Sequence, residues 1–307
     1  MGAQAAASQF LFIGVSTGAS SIQRIFPRWM RILSLDAELV GVDVPLRASA
    51  ATYREIAVRI RDDRRIQGAL ITAHKIDMLR ACHDLIDWLD PYAEACAEVS
   101  CLVKRDGRLL AYAKDPLSSA LALDQFVPER HWNAKRDVLC LGAGGAAIAI
   151  SVCLAGPSQT QGLPRRFVLT DILPERLDSI RQVHARLEAP LQFSYQLCHS
   201  ATDNDTQLWG LPPGSLVINA TGLGKDAPGS PLTDAARFPP GGLVWELNYR
   251  GQRDFLRQAR AQADEKRLHI EDGWAYFLHG WTQVVAEVFG LTLDAALFAR
   301  LAAAAAL

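Results

Sequence analysis

The sequence predicts an α/β protein of two domains, an N-terminal α/β domain followed by a doubly wound α/β domain. Three observations predict this class. The length of 307 residues is about twice that of a typical domain. Short apolar strands alternate with amphipathic helices through the first half of the chain. A glycine-rich turn between an apolar strand and a helix opens the second half, at residues 142–147.

The first half begins with the order strand, helix, strand, helix, strand, and a further helix follows. Compact apolar runs that end in polar turns predict the strands, and apolar residues three and four apart predict the helices. The strands are predicted at 10–15, 39–45 and 68–72, and the helices at 22–33, 53–61 and 79–89. Ser20 or Ser21 is expected to cap the first helix. This alternation favours a parallel sheet.

A β-hairpin is predicted next. Asp106 and Gly107 stand between the apolar runs 99–104 and 109–113, and Asp-Gly between such runs is a strong hairpin signal. The second strand leads to Asp115, which suits the N-cap of a helix through residue 123 because a proline follows it. Residues 127–133 then carry charges and a proline, which indicates a domain boundary.

The second half opens with an apolar strand, 138–141, that enters the turn Gly142-Ala143-Gly144-Gly145-Ala146-Ala147. The spacing is G-x-G-x-x-A, the pattern of dinucleotide-binding turns. Gly142 permits the tight turn, Gly144 lets the backbone approach a pyrophosphate, and Ala147 allows close packing of helix on strand. The N–H groups at the helix N-terminus then bind phosphate charge. We expect a Rossmann-type domain here; the alternative is a turn that binds nothing.

Asp171 ends the next predicted strand. A carboxylate there can accept hydrogen bonds from ribose hydroxyls and repels a 2′-phosphate, so NAD is expected as the cofactor in preference to NADP. The 29-residue separation from Gly142 exceeds the usual value of about 20, which requires a lengthened loop at 157–164. Arg176 opposes the preference for NAD, since a guanidinium binds phosphate. A plain turn role for Asp171 is the alternative.

Two later loops are expected at the same edge of the second sheet. One follows a buried strand at 215–218, and the other follows a strand at 242–247 that leads to Tyr249. In open α/β sheets, ligands bind at the carboxyl ends of the strands. The cofactor-binding residues predicted in the first of these loops are Asn219, Ala220, Thr221 and Gly222.

Composition excludes several classes of function. Lys plus Arg number 32 against 33 Asp plus Glu. The chain therefore lacks the excess of positive charge that binding to nucleic acid or to an anionic membrane requires. The six cysteines form no C-x-x-C pair, and we expect neither a metal site nor a disulfide scaffold. No apolar run is long enough to span a bilayer, and no basic signal-peptide start is present. A cytoplasmic monomer or homodimer that binds a small molecule is expected.

Together these motifs resemble the shikimate dehydrogenase family, and their order and separations agree over almost the whole chain. The matching pieces are residues 14–21, residues 68–75 ending in His74-Lys75, Asp106-Gly107 followed by Asp115, the turn 142–147, residues 218–224, and Asp272-Gly273 before a final amphipathic helix. The resemblance implies a substrate domain of residues 1–126 completed by 273–307, and a Rossmann-type domain of residues 127–272. It also adds Gly273 to the cofactor-binding residues.

The resemblance implies that Lys75 and Asp115 are catalytic. They match the lysine and aspartate thought to sit at the carbon that gives up a hydride, where the hydroxyl proton leaves. Without the resemblance, Lys75 is a solvated loop lysine and Asp115 a helix cap. His74 is either a proton shuttle or a loop histidine held by hydrogen bonds. The residues expected at the substrate are Ser20, Ser21, Thr72, Ser100, Tyr249 and Tyr276.

Four substrate-side positions depart from the family pattern. Ile22 replaces the second serine of a Ser-x-Ser element, Ser100 replaces an asparagine, and Gly280 stands where a glutamine is expected. The familiar Asn-Thr-Asp-Gly reads Ala113-Lys114-Asp115-Pro116. A pocket built for the hydroxyls of shikimate would lose partners here. Lys114 and Arg24 are candidates for holding a substrate carboxylate instead.

The sequence therefore predicts an NAD-dependent oxidoreductase that interconverts a secondary alcohol and a ketone on a small polar hydroxy acid, alicyclic acids included. Two alternatives stay open at this point. One is a true shikimate or quinate dehydrogenase with a rearranged pocket. The other is a non-catalytic NAD-binding regulatory protein, which the altered substrate positions favour and the presence of both Lys75 and Asp115 opposes.

Overall fold

A computed structural model describes residues 7–156, 162–225 and 227–306. Most of the lengthened loop expected at 157–164 therefore lies outside the described residues. The strands are β1 (Ser8–Gly14), β2 (Ala37–Asp43), β3 (Ile66–Ile71), β4 (Trp88–Leu89), β5 (Cys101–Arg105), β6 (Arg108–Tyr112), β7 (Asp137–Leu141), β8 (Arg166–Asp171), β9 (Gln192–Leu197), β10 (Leu216–Asn219), β11 (Leu243–Glu246) and β12 (His269–Glu271). The α-helices are α1 (Ile22–Leu33), α2 (Ala50–Asp62), α3 (Lys75–Cys82), α4 (Pro91–Cys96), α5 (Asp115–Leu123), α6 (Gly145–Ala155), α7 (Pro174–His184), α8 (Ala201–Trp209), α9 (Asp254–Arg260), α10 (Ala263–Lys266), α11 (Trp274–Phe289) and α12 (Ala295–Ala305).

By its contacts the chain divides into two units. The first comprises the described residues up to Lys114 together with those from Gly280 onward, and the second runs from Asp115 to His279. Since α5 packs against α6, its contacts belong to the second unit. The domain boundary near residue 127 stays a prediction.

The sheet of the first unit has the order β2-β1-β3-β5-β6-β4. Strands β2, β1 and β3 are parallel, as the strand and helix alternation predicts, whereas β3, β5 and β6 are antiparallel. The predicted hairpin is present, and both Asp106 and Gly107 have positive φ, at 52° and 74°, as its tight turn requires. The carboxyl ends of β1 and β3 thus meet at one edge of the sheet, beside the N-terminus of α3.

Helix α1 buries one apolar face, formed by Ile22, Ile25, Phe26, Trp29 and Met30. The spacing of three and four residues brings these side chains to one side, as predicted. The expected serine cap is wrong, because Ser21 has helical φ and ψ and its side chain makes no capping hydrogen bond. A serine caps α2 instead, where the hydroxyl oxygen of Ser49 accepts a hydrogen bond from the N–H of Thr52.

The helix predicted at 79–89 is shorter and begins earlier, at Lys75. It ends at Cys82, and the chain continues through a short 3-10 turn into β4. Tertiary pairing explains the difference, since the N–H of Asp87 donates to Leu109 and its carboxylate accepts from the N–H of the same residue. Pairing with β6 therefore outweighs the helical pattern of this segment.

The second unit contains a six-stranded parallel sheet of order β12-β11-β10-β7-β8-β9. The strand nearest the glycine turn, β7, lies in the middle, and the strand order reverses between β7 and β10. This is the order of the doubly wound dinucleotide-binding sheet, so the predicted Rossmann-type α/β class is confirmed. The core beneath it includes Leu139, Val168, Val217, Val244 and Phe255.

Two further features are absent from the described residues. No helix there has the length and apolar character that crossing a bilayer requires. No group of histidine, cysteine and acidic side chains in the described ranges is arranged to hold a metal ion. All six cysteines are buried and reduced.

Candidate active site

The glycine turn of the second unit has the backbone geometry that a dinucleotide site needs. Gly142 has φ of +104°, and a Cβ on it would lie 3.0 Å from the carbonyl group of Ala220. Its N–H donates to Thr170 at 2.8 Å, which joins the turn to β8. A Cβ on Gly144 would meet nothing within 4 Å, so this side of the turn is open. The first N–H groups of α6 lack intrahelical partners and are suited to binding phosphate.

Asp171 lies at the end of β8, but its carboxylate is already engaged. One oxygen accepts from the N–H of Ala143 at 2.9 Å, and the other accepts from the N–H of Leu173 at 3.0 Å. The residue is only 7% exposed. Asp171 therefore holds the glycine turn against the loop after β8, which is the turn role that was the alternative. Arg176 on α7 lies 3.9 Å from this carboxylate and is more than half exposed.

A buried polar network holds the second loop of this edge, residues 220–224. Asn219 donates from its amide to Glu246 at 2.8 Å and accepts from both the N–H and the hydroxyl of Thr221. Asn248 donates its N–H to Glu246 at 2.8 Å and its amide to the carbonyl of Leu223 at 3.0 Å. The network fixes the loop whose Ala220 lies against Gly142. The sequence indicates Asn219, but only the fold shows that Glu246 is its partner.

Glu246 is completely buried. Burial raises its pKa from 4.5 to about 7, and the hydrogen bonds from Asn248 and Asn219 oppose the rise. A carboxylic acid in this position therefore changes its charge near neutral pH.

Aromatic side chains gather near the start of α11. Tyr249, Trp274 and Phe277 contact one another, with ring centroids 4.3 to 5.7 Å apart. Tyr276 instead packs edge-on against the buried Trp245. Gly273 is required by packing, since a Cβ there would lie 1.9 Å from the carbonyl oxygen of Leu247.

In the first unit, Lys75 is the first residue of α3, directly after the carboxyl end of β3. The preceding His74 is buried and shares a 3.0 Å hydrogen bond with the hydroxyl of Tyr53. This contact favours a structural role for His74, fixed in its loop by a hydrogen bond, over the role of a proton shuttle. The Nζ of Lys75 lies 4.0 Å from the carboxylate of Glu98, a completely buried residue that the sequence did not single out.

Several predicted substrate residues bond to the protein itself. Thr72 donates its hydroxyl to the carbonyl of Ile13, and the buried Ser100 accepts from the N–H of Lys114. The ammonium of Lys114 lies 2.7 Å from Glu287 and over the ring of Tyr112. The remaining candidate substrate residues of the first unit are Ser20 and Ser21, which are partly buried, and Arg24, which is exposed.

Asp115 is partly buried and opens α5 in the second unit, where its carbonyl accepts from the hydroxyl of Ser119. Lys75 and Asp115 thus belong to different units. Their joint role in catalysis stays a prediction.

Comparison with known proteins connects these features to a family. No family model matches the chain. The shikimate dehydrogenase (NADP(+)) of Streptococcus thermophilus is 30% identical over 59% of this chain and 59% of its own length. That of Streptococcus gordonii is 33% identical over 58% of each chain. The resemblance to the shikimate dehydrogenase family is confirmed. The matched segments span about three fifths of the length of these curated relatives.

Solved structures share the fold over nearly the full chain. Shikimate 5-dehydrogenase of Thermus thermophilus, in complex with NADP(H) and shikimate, has a TM-score of 0.71 at 23% identity, covering 97% of this chain and 99% of that one. The ligand-free 5-ketofructose reductase of a Gluconobacter strain has a TM-score of 0.71 at 20% identity, covering 97% and 98%. The shikimate dehydrogenase fold is therefore present in both units.

The prediction that NAD is preferred over NADP is wrong. The curated shikimate dehydrogenases are named for NADP(+), and the Thermus thermophilus structure contains NADP(H). The structure gives the physical reason, because both oxygens of Asp171 accept backbone hydrogen bonds and the residue is buried. A carboxylate in that state is not available to select the ribose hydroxyls.

Proposed function

We propose that the protein is an NADP-dependent oxidoreductase that interconverts a secondary alcohol and a ketone on a small polar hydroxy acid. The observation that carries this proposal is the open glycine turn before α6. This turn follows the carboxyl end of β7, next to the point between β7 and β10 where the strand order of the parallel sheet reverses. The likeness to the shikimate dehydrogenases supports it.

The residues divide the work by their chemistry. Residues 142–147 cradle the pyrophosphate, and the loop of Asn219, Ala220, Thr221 and Gly222 lies beside them. NADP, when bound, takes up or supplies the hydride. Lys75 exchanges the proton of the substrate hydroxyl, and Asp115 is its proposed carboxylate partner.

Arg176 is the proposed ligand of the 2′-phosphate. Its side chain is 57% exposed and begins in the first turn of α7, beside the end of β8. A guanidinium binds phosphate with charge-assisted hydrogen bonds. Arg176 thus supplies the positive charge that the choice of NADP requires.

Replacing Arg176 by alanine is expected to raise the KM for NADP+ roughly tenfold or more and to leave the KM for NAD+ unchanged. The reason is that only NADP+ carries the phosphate that the guanidinium binds. Steady-state kinetics with both cofactors measure this ratio. Arg181→Ala, on the same helix and paired with Asp178, is the matched control and should change neither KM. Equal loss of both cofactors in Arg176→Ala would remove the proposed role.

The function itself is tested by following NADPH absorbance with NADP+ and a panel of hydroxy acids that includes shikimate and quinate. Turnover of any member supports the proposal. Binding of NADP+ without turnover of any hydroxy acid contradicts it and favours the regulatory alternative.

A second candidate, a shikimate dehydrogenase in the strict sense, is favoured by the names of the relatives. The substitutions at Ile22, Ser100 and Gly280 favour another acid, since Ile22 lacks the hydroxyl, and Ser100 and Gly280 lack the carboxamide, that the family pattern provides there. The ratio of kcat/KM for shikimate to that for the other acids distinguishes the two.

A further inference from the structure

Glu98 is a buried carboxylate that the proposed function has not used. It lies in the segment between α4 and β5, and its side chain is 1% exposed. Neither of its carboxylate oxygens accepts a hydrogen bond from a residue that the structure describes. An ionised carboxylate is strongly unfavourable in the interior unless an opposite charge compensates it. Glu98 therefore depends on a cation close by.

Lys75 is that cation. Its Nζ lies 4.0 Å from Oε1 of Glu98, and its side chain is 18% exposed, so most of this side chain is buried. The N–H of Val99 donates to the carbonyl of Lys75 at 3.3 Å, which joins the two segments through the backbone. Burial raises the pKa of Glu98, and the nearby Lys75 ammonium opposes that rise.

The backbone that precedes Lys75 is held by further hydrogen bonds. His74 is 1% exposed and hydrogen bonds with the hydroxyl of the buried Tyr53. The carbonyl of His74 accepts from the N–H of Met78 at 2.8 Å, in the first turn of α3. With the main chain fixed in this way, the contacts of the flexible four-carbon side chain decide where the ammonium lies.

We propose that Glu98 is the positioning residue of Lys75: its buried carboxylate lies beside the ammonium, fixes its position and stabilises its charged form. This inference rests on the proposed function. In alcohol oxidation the substrate hydroxyl proton passes to the neutral amine of Lys75, and the hydride of the adjacent carbon is taken up by NADP+. The ketone forms, Lys75 becomes an ammonium, and Glu98 stabilises it until the proton leaves to water.

The test replaces Glu98 by glutamine, which keeps the shape and removes the charge. For the hydroxy acid with the fastest turnover in the NADP+ screen, the acid limb of the kcat profile is expected to move to lower pH. An ammonium without its counter-charge releases its proton more readily. The KM for NADP+ should not change. Glu94→Gln, an exposed glutamate on α4, is the matched control and should leave the profile in place.

A second variant guards against effects of the new amide. Glu98→Met fills a similar volume with apolar atoms and removes the charge without adding an amide, and the Lys75 ammonium that loses its partner is on a side chain with 18% exposure. It should produce the same shift of the acid limb as Glu98→Gln. Thermal unfolding of both variants establishes that they are folded.

A measurement on the protein alone separates this inference from the proposed function. Reductive methylation places ¹³C-methyl groups on the lysine amines, and Lys75→Arg identifies the NMR signal of Lys75. In Glu98→Gln this signal should titrate at lower pH than in the wild type. If the wild type turns over no hydroxy acid, the proposed function is contradicted. A lower titration pH of the Lys75 signal in Glu98→Gln would still support the interaction between Glu98 and Lys75. An active enzyme whose acid limb and NMR titration are the same with and without Glu98 overturns the inference.

Discussion

Replacing Lys75 by alanine is expected to lower kcat roughly 10³-fold, because the proton of the substrate hydroxyl loses its acceptor. The KM for NADP+ should stay nearly unchanged, since the glycine turn and Arg176 belong to the second unit and Lys75 to the first. Steady-state kinetics, with NADP+ binding followed by fluorescence, measure both quantities.

Lys75→Arg separates proton exchange from charge. A guanidinium keeps the positive charge but does not release its proton at accessible pH, so this variant should be as inactive as the alanine variant. Lys266→Ala, a partly buried lysine in α10 of the second unit, is the control for a lost ammonium and should keep wild-type kinetics. If Lys75→Ala retains most of its turnover, the assignment of Lys75 is wrong.

Replacing Glu246 by glutamine is expected to remove a large pH dependence of stability. The folded-state pKa of Glu246 is about 7, above its value of 4.5, so the folded protein holds this proton more tightly than the unfolded chain. The contribution is fully present below about pH 4.5 and is lost as the pH rises through about 7. The shift corresponds to about 3 kcal/mol.

Urea unfolding at about pH 5 and about pH 8 measures this effect. Between these values the free energy of unfolding of the wild type should fall by about 2.5 kcal/mol more than that of Glu246→Gln, because a small part of the contribution is already lost at about pH 5. Three histidines with pKa lowered to about 4 by burial, His131, His184 and His279, contribute equally to both proteins and cancel. Glu265→Gln, an exposed site, should behave like the wild type. Parallel pH curves for wild type and Glu246→Gln would show that the carboxylate ionises without penalty.

The second unit was the easier part to predict because its signals are local. The strand before Gly142 and the helix after it follow directly from the apolar pattern and the glycine spacing. The hairpin at Asp106-Gly107 is equally local, since two residues with positive φ define its turn. The helix expected at 79–89 failed because the partner of this segment, β6, lies about 20 residues further along the chain.

The candidate site shows the same division between local and distant information. The positions of Lys75 and the glycine turn follow from motifs, whereas Glu98 lies in a linker with no periodic pattern, and only the folded chain reveals its burial beside Lys75. Asp171 is the instructive error, because its place at the end of the strand was predicted correctly. The sequence does not show that two backbone N–H groups donate to the two carboxylate oxygens of Asp171.

Those two hydrogen bonds also decide how the nucleotide preference of this protein can be re-engineered. In many dinucleotide enzymes the residue that ends the second strand is the natural place to begin a cofactor swap. Here, removing the carboxylate of Asp171 would leave the N–H groups of Ala143 and Leu173 without acceptors and loosen the glycine turn for either cofactor. Design effort therefore belongs at the neighbouring Ile172, which is 60% exposed, and at Arg176, whose side chains can change without undoing the turn.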